Sequence, residues 1–386
     1  MEVAFIPQSG APICPGGVIT ALSALNKAPF ERAIQPGGHM LRRLLLPLAL
    51  LIAILAPSGA NAQQPTYIEF TLLSTNDLHA NLVPFKQGDK YKDQMPSLEN
   101  VGGAARRATL INQERANPNQ GYVLLFDSGD LTLGSSPLAK AFRGEPDIEI
   151  MNALGLIAMG PGNHEFEHPS KYTIRNLRAS NFPWLCANLV DEKTGKLFLE
   201  PYVINEYGGV RVALLGLITS LVNKDNYKGR RELGLIQIDP IEVAKKIVPE
   251  IRQKADVLIV LSHLGYTLDK ELAAAVPGID VILGGHSHTR LPTPTMVKVA
   301  EPTAYSLGAV PVVQAYQWGS EMGKTRVIFR RDPDTGKYSL MSCRGELLWI
   351  DKNIPEDPAI AAIVDRYLAK MEAAKSAPAL TPALAK

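Results

Sequence analysis

Met159 to His168 reads MGPGNHEFEH, and this stretch decides how the rest of the chain is interpreted. Its Gly-Pro-Gly segment predicts a sharp, rigid turn directly before Asn163 and His164. An amide offers a neutral oxygen to a cation, and an imidazole binds a metal or moves a proton near neutral pH. A turn residue beside a surface histidine would give the same local pattern, so this stretch alone leaves both interpretations open.

Four other stretches share this layout, in which an apolar predicted strand is followed by side chains that bind metals. The full set is Tyr67–Ser74 before Asp77 and His79, Tyr122–Phe126 before Asp130, the short run before Asn163 and His164, Asp256–Leu261 before His263, and Asp280–Leu283 before His286 and His288. In open α/β sheets, sites assemble at the carboxyl ends of the strands. Five of the seven histidines occupy these positions, and only His39 and His168 do not. Histidines placed for packing would not concentrate in this way.

The donor set predicts two divalent cations. Mixed imidazole, carboxylate and amide ligands suit Zn, Mn, Fe or Co, and the lack of thiolates in the set argues against a structural zinc site. The candidate ligands are Asp77, His79, Asp130, Asn163, His263, His286 and His288. They are too many for one tetrahedral ion, but they suffice for two if one carboxylate bridges. Two ions roughly 3.5–4 Å apart lower the pKa of a shared water and clamp both oxygens of an in-line displacement at phosphorus.

The rest of the pattern predicts an α/β fold, because helical and strand-like segments alternate. Helices are predicted at Val101–Gln113, Pro146–Leu154, Pro240–Lys254, Leu268–Ala275 and Pro358–Ala373, and further strands at Trp184–Leu189, Val210–Ile218, Val310–Ala315, Thr325–Arg330 and Tyr338–Ile350. Asp77 and His79 lie two residues apart on a predicted extended segment, so both are expected to face the same side.

Length and composition limit the number of domains and the classes of partner. The chain has 386 residues, 46% of them hydrophobic, and a formal net charge of +2. That length allows one large domain or two small ones. A charge so near zero gives no reason to expect nucleic acid or an acidic membrane surface as a partner.

The amino-terminal region has the pattern of a signal peptide. Arg42 and Arg43 precede an apolar run, Leu44–Ala56, which is followed by the small-residue segment Ala60-Asn61-Ala62. The run is short for a stable membrane span, although an uncleaved anchor is left open. We therefore expect residues 1–39 to arise from an upstream mis-start, 40–62 to be a signal peptide, 63–352 to form the main domain, and 353–386 to form a helix and a disordered tail. The mature chain would then be periplasmic or secreted.

Two cysteines remain after that leader is removed. Cys186 and Cys343 both fall in predicted strands. An oxidising compartment would permit one bridge, and two buried free thiols are at least as compatible with the pattern.

The five motifs NDLHANL, SGDLTLGS, GNHEFEH, SHLG and GGHSHT resemble the signatures of the calcineurin-like metallophosphoesterase superfamily. The resemblance extends from about Phe70 to Ile350 and is strongest to the 5'-nucleotidase and periplasmic UDP-sugar hydrolase branch. It implies a four-layer α/β/β/α sandwich of two mixed sheets, with a dinuclear metal centre between them.

The resemblance also implies a role for each motif residue. Asp77, His79, Asp130 and His288 would hold the first ion, and Asp130, Asn163, His263 and His286 the second, with Asp130 bridging. Asn163 and His164 would contact the substrate phosphate. His164 would not bind metal, and would stabilise charge or protonate the leaving group. Asp127 would be structural.

Three features depart from the family pattern. Glu167 stands where the family usually has an aspartate that orients the catalytic histidine, so orientation requires room for one more methylene. His288 stands where the branch often has Gln or Asn. We expect the branch's second domain, which holds the nucleoside, to be missing after the helix Pro358–Ala373. The apolar face of that helix is expected to dock either on its own domain or on a protein partner.

Several functions fit these observations. The first is an exported, metal-dependent hydrolase of small phosphate esters, including 5'-nucleotides, in which a metal-bound hydroxide attacks phosphorus. A phosphodiester or pyrophosphate hydrolase of the UDP-sugar type would use the same metal pair. A binding protein on the same fold and a sulfur-ester hydrolase related to sulfur oxidation are further alternatives. The complete ligand set together with His164 favours an active hydrolase.

Overall fold

The computed structural model describes residues 64–219, 227–299 and 308–376. The predicted signal peptide, the residues before it and the tail from residue 377 lie outside these ranges and stay predictions. Within the described ranges, no helix combines the length and the apolar character needed to cross a membrane.

One sheet contains three parallel strands with two antiparallel strands at one edge. Its members are β1 (Tyr67–Thr75), β2 (Tyr122–Asp127), β3 (Ala158–Met159), β12 (Glu321–Arg331) and β13 (Tyr338–Trp349). Their spatial order is β13-β12-β1-β2-β3. The carboxyl ends of β1, β2 and β3 therefore lie along one edge of this sheet.

The second sheet has six strands around a parallel centre. Its members are β5 (Tyr202–Tyr207), β6 (Val210–Ile218), β8 (Val257–His263), β9 (Val281–Leu283), β10 (Thr295–Lys298) and β11 (Ala309–Val313). Their order is β10-β11-β9-β8-β6-β5, and β6, β8, β9 and β11 run parallel. The short strands β4 (Leu189–Asp191) and β7 (Leu235–Gln237) form a separate ribbon.

Eight α-helices in the described residues cover the outer faces of the sheets. They are α1 (Ala104–Ala116), α2 (Pro137–Phe142), α3 (Glu145–Ala153), α4 (Ser170–Ala179), α5 (Lys228–Leu233), α6 (Pro240–Arg252), α7 (Tyr266–Ala275) and α8 (Pro358–Ser376). Two 3-10 turns occur at Asp89–Gln94 and His164–Phe166.

Three hydrophobic cores separate four layers. The central core joins Phe70 of the first sheet to Leu214 and Ile259 of the second. One outer core packs α1, α3 and α8 against the first sheet through residues such as Leu73. The other packs α6 and α7 against the second sheet through residues such as Leu215. The strands alternate in the expected way, since side chains two apart share a face. The layering is that of an α/β/β/α sandwich.

The structure corrects one predicted strand. Trp184–Leu189 is not a strand of either sheet; β4 begins at Leu189. The Leu185 amide donates to the Met159 carbonyl at 2.8 Å, and the Ala187 amide donates to the Gly216 carbonyl at 2.9 Å. The segment is apolar because it crosses from one sheet to the other through buried space. Cys186 lies in this segment and is a free, buried thiol, and Cys343 is also free.

Candidate metal centre

The five strand ends meet in one place because their loops are hydrogen-bonded to one another. The Asp77 amide donates to the Gly129 carbonyl at 2.8 Å, and the His79 amide donates to the Asp130 carbonyl at 2.9 Å. The His286 amide, from the second sheet, donates to Asp77 Oδ2 at 2.9 Å. These bonds join the loops after β1, β2 and β9 before any ion is considered.

The backbone at this meeting point is left-handed at five predicted ligands. The φ angles are 49° at Asp77, 49° at His79, 54° at Asp130, 73° at His286 and 50° at His288. Residues other than glycine rarely adopt positive φ, and such strain concentrates at functional sites. The expectation of an extended Asp77–His79 segment is therefore wrong. A left-handed turn, and not strand alternation, brings the two side chains together.

Two of the histidines are oriented by backbone carbonyls. His79 Nδ1 lies 2.6 Å from the Leu133 carbonyl, and His263 Nδ1 lies 2.6 Å from the Ser128 carbonyl. A carbonyl only accepts hydrogen bonds, so Nδ1 carries the proton in both rings. This assignment leaves each Nε2 as the atom that faces the cluster, which is the arrangement of metal-ligating histidines.

The predicted ligand atoms form two adjoining groups. His288 Nε2 lies 3.1 Å from Asp77 Oδ1 and 3.1 Å from His79 Nε2. In the second group, His263 Nε2 lies 3.0 Å from Asp130 Oδ2, and His286 completes a set of ligand atoms within 4.8 Å of one another. Two ligands about 2.1 Å from one ion lie about 3.0–3.4 Å apart, so these spacings fit shared cations.

Asn163 and His263 each present a buried atom that suits a cation. Asn163 Oδ1 has no hydrogen-bond partner among the described residues, and His263 Nε2 faces the Asp130 carboxylate at 3.0 Å. An unpaired buried polar atom is costly unless a ligand completes it. Gly162 precedes Asn163, and a side chain there would overlap the Asp130 carboxylate. The tight turn predicted from Gly-Pro-Gly is therefore what lets these two loops approach.

The electrostatics of the cluster favour positive charge. Burial opposes ionisation of Asp130, but the nearby histidines, led by His263, outweigh it and lower the pKa of its carboxyl. Burial likewise opposes the charge on His263, but Asp130 raises the pKa of that imidazole to about 10. Burial, followed by the charge on His263, lowers the pKa of His286 to about 4. Without ions, a proton on His263 balances Asp130, and a bound cation can take its place.

His164 differs from the other histidines of the cluster. Its Nδ1 lies 2.5 Å from Glu167 Oε2, and its side chain is 33% exposed. Burial lowers the pKa of His164, but the hydrogen bond to Glu167 and the negative charges of Asp130 and Glu167 together outweigh it, so the pKa is raised overall. Glu167 directly follows the 3-10 turn His164–Phe166. Glu167 therefore reaches the imidazole in spite of its extra methylene.

Comparison with known proteins identifies the family. The family model for calcineurin-like phosphoesterases matches residues 70–290. The chain belongs to this family. It is 30% identical over 375 residues to a 5'-nucleotidase of Vibrio vulnificus (strain CMCP6), covering 86% of this chain and 65% of that protein. It is 32% identical over 334 residues to a 2',3'-cyclic-nucleotide 2'-phosphodiesterase/3'-nucleotidase of Yersinia enterocolitica, covering 78% of this chain and 49% of that protein.

A solved family member has the same fold. The crystal structure of a 5'-nucleotidase precursor from Thermus thermophilus superposes with a TM-score of 0.66 at 30% identity, covering 80% of this chain and 60% of that chain. The chain thus spans between about half and two thirds of the length of these relatives.

Several supporting residues were not singled out from the sequence. Glu165 accepts hydrogen bonds from the Asp130 and Gly162 amides at 2.9 and 2.7 Å. Asn76 donates to Asp77 Oδ2 at 2.6 Å. Both adjoin a predicted ligand or catalytic residue in the sequence, and that adjacency was the available signal. Tyr227 gives no such signal, since it lies far from every motif, yet its hydroxyl accepts a hydrogen bond from Asn163 Nδ2 at 2.8 Å.

Asp127 and His168, which were predicted not to bind metal, have other partners in the structure. Asp127, expected to be structural, accepts hydrogen bonds from Thr75 Oγ1 at 2.6 Å and from the Gly129 amide at 2.9 Å, so it braces the turn before Asp130. His168, the histidine left out of the ligand set, lies 2.5 Å from Arg143 Nη1.

Proposed function

We propose that this chain hydrolyses small phosphate esters at a centre of two divalent cations. The observation that carries the proposal is the convergence of imidazole nitrogens and carboxylate oxygens from five strand ends, with ring nitrogens held by backbone carbonyls. Asp77, His79, Asp130 and His288 would hold one ion. Asp130, Asn163, His263 and His286 would hold the other. Zn, Mn, Fe and Co all suit this donor set.

Bound cations would activate a water and neutralise charge on the phosphoryl oxygens. The residues of the chain have separate tasks. Asn163 and His164 would contact the substrate phosphate, and Glu167 would hold the His164 ring and keep it protonated. His164 Nε2 would then deliver a proton to the leaving oxygen. The partial exposure of the His164 side chain supports this role.

We infer that the substrate is a nucleotide, because the Vibrio relative is named a 5'-nucleotidase. A cyclic nucleotide phosphodiester is the second candidate, since the Yersinia relative, at a comparable identity, is named a 2',3'-cyclic-nucleotide 2'-phosphodiesterase/3'-nucleotidase.

The substrate panel should hold a 5'-nucleotide, a 2',3'-cyclic nucleotide, a UDP-sugar and a sulfate–thiol ester. The proposal expects metal-dependent turnover of a phosphate ester by protein that has been stripped and reloaded with Mn²⁺, Zn²⁺ or Co²⁺. Turnover that survives complete metal removal would contradict it.

The bridging role of Asp130 gives a sharper test. Asp130→Asn should lose both ions, because one side chain serves both groups, whereas Asp77→Asn should mainly lose one. Elemental analysis of the purified variants measures this directly. Retention of two equivalents by Asp130→Asn would refute the bridging assignment.

A further inference from the structure

The side-chain amide of Asn163 has two ends that differ in what they can bind. Its oxygen can coordinate a cation, and its NH2 group, which only donates hydrogen bonds, cannot. The two ends are nearly equal in size, so sterics alone do not select an orientation. The groups that face its two ends have to select it together.

Tyr227 occupies the nitrogen side of this amide. Its hydroxyl accepts the hydrogen bond from Asn163 Nδ2 at 2.8 Å, and the tyrosine is only 4% exposed. Asn163 Oδ1 is buried and has no hydrogen-bond partner in the described part of the chain. In the reversed amide the hydroxyl would donate to the carbonyl oxygen instead, and the NH2 group would face the cation position, where it cannot coordinate. Tyr227 therefore supplies the acceptor that the NH2 group needs when the oxygen faces the cation.

The position of Tyr227 is itself fixed against the Asn163 turn. Tyr227 directly precedes α5, whose first residue, Lys228, donates its amide to the Glu167 carbonyl at 3.0 Å. A side chain at Gly229 would overlap the His168 carbonyl. The Tyr227 ring also meets the His164 ring edge-on, with centroids 6.5 Å apart. The start of α5 and the turn 163–168 therefore pack as one unit.

We propose that Tyr227 is a positioning residue that holds the Asn163 oxygen in its cation-binding orientation. This inference rests on the proposed metal centre. In this proposal Tyr227 is not itself a ligand and would act on the ion through the Asn163 amide. Because Asn163 serves one of the two ions, the hydroxyl should matter for that ion and not for the other.

The test is the affinity of each ion in Tyr227→Phe, which keeps the ring and removes the acceptor. Loss of a partner behind a metal ligand typically costs about 10–100-fold in metal affinity. Metal-free protein is titrated with Zn²⁺ against a competing chelator, and the thermal midpoint is recorded with and without metal. We expect one of two binding constants to weaken by that factor, with a smaller metal-induced rise in midpoint.

Two comparisons make the result specific. Tyr338→Phe removes a hydroxyl that donates to the Pro65 carbonyl at 2.6 Å, far along the chain from every ligand, and should leave both affinities unchanged. In an Asn163→Ala background, Tyr227→Phe should have no further effect on either metal affinity, because the amide it positions is gone. Such non-additivity supports positioning, and a merely structural role would not produce it.

The possible failures can be distinguished. If the wild-type chain binds two ions and Tyr227→Phe binds them equally well, the positioning role is wrong and the metal centre stands. An equal loss of both ions, or a loss that persists in the Asn163→Ala background, also overturns it. If the wild-type chain binds fewer than two ions, the proposed function fails and takes this inference with it.

Discussion

His164 differs from its neighbours in how its two nitrogens are used. Nδ1 is committed to Glu167, whereas Nε2 lies 3.9 Å from Asp130 Oδ2 in a side chain that is 33% exposed. A histidine buried as a ligand has no need of a carboxylate partner that keeps it protonated. This geometry suits a group that carries a proton to a substrate oxygen.

Removal of this imidazole should therefore affect leaving groups unequally. His164→Ala should retain both ions and lose about 10²–10⁴-fold in kcat on an alkyl phosphate, whose alkoxide needs a proton. The loss should be much smaller on p-nitrophenyl phosphate, whose leaving group departs as a stable anion. His168→Ala is the matched control, because His168 contacts Arg143 outside the cluster and should keep the wild-type rate. Equal losses on both substrates would rule out proton delivery.

At this scale, the sequence was enough to select candidate residues that lie together in the structure, but not the groups that support them. The candidates could be selected because each follows an apolar run and because few histidines lie elsewhere. The carbonyls of Ser128 and Leu133, which orient two imidazoles, have no side-chain signature. Tyr227 is brought to Asn163 by tertiary packing alone. Spacing rules predict which residue types gather, and they do not predict what holds each ring in place.

At the scale of elements, one carboxylate joins the loops after β2 and β3. Glu165 is 4% exposed and accepts hydrogen bonds from the amides of Asp130, Thr132 and Gly162 at 2.9, 3.0 and 2.7 Å. In return, Asp130 Oδ1 accepts a hydrogen bond from the His164 amide at 2.9 Å. The loop of Asp130, the proposed bridging ligand, and the Asn163 turn are thus hydrogen-bonded to each other in both directions.

Glu165→Gln should break these hydrogen bonds between the two loops with little change in side-chain volume. A glutamine NH2 group would face backbone N–H groups, leaving buried donors without an acceptor at a cost of about 1–3 kcal/mol each. We expect a lower free energy of unfolding in urea and weaker binding of both ions. Glu114→Gln, which breaks a partly buried ion pair with Lys324, should lower stability without changing metal affinity. Unchanged metal affinity in Glu165→Gln would show that the Glu165 hydrogen bonds do not support the proposed metal centre.

Sequence patterns predicted most of the helices and strands in their order along the chain. The segments where the structure differs have physical reasons. β1, β2, β6 and β8 lie where apolar runs predicted them, because buried parallel strands are continuously apolar. Helix α1 begins at Ala104 and not at Val101, since Gly102 and Gly103 have φ angles of 71° and 99°. Trp184–Leu189 is as apolar as a strand because it runs through the interior between sheets. The apolar character of this segment reflects its burial and not pairing in a β-sheet.

At the scale of the whole molecule, the centre depends on both halves of the sandwich. Asp77, Asp130 and Asn163 follow strands of the first sheet, while His263 ends β8 and His286 follows β9 in the second. Helix α8 packs on α1 and α3 in the outer core beside the first sheet, where Ile360, Val364 and Tyr367 are buried. Its apolar face, expected to dock on its own domain or on a partner, lies on its own domain.

The interior also holds charged groups that no ligand role explains. Asp147, in the first turn of α3, is 1% exposed, and neither carboxylate oxygen has a hydrogen-bond partner among the described residues. Burial raises the pKa of Asp147 to about 8, although Arg107 partly opposes the shift. Burial also lowers the pKa of Arg107 to about 10. The fold therefore binds a proton at Asp147 more tightly than the unfolded chain does.

That difference makes stability depend on pH with a definite sign. The contribution of Asp147 is fully present below the unfolded pKa of about 4 and is lost as pH rises through about 8, at roughly 1.4 kcal/mol per pH unit. Asp147→Asn cannot ionise, so its stability advantage over wild type should grow steadily from pH 5 to pH 8. Urea unfolding of both proteins with chelator present, at each pH, measures the difference and cancels the titration of the shared histidines. Exposed Asp365→Asn should show no such trend. Parallel stability curves for Asp147→Asn and wild type would mean that the folded protein already keeps Asp147 ionised, with Arg107 balancing its charge.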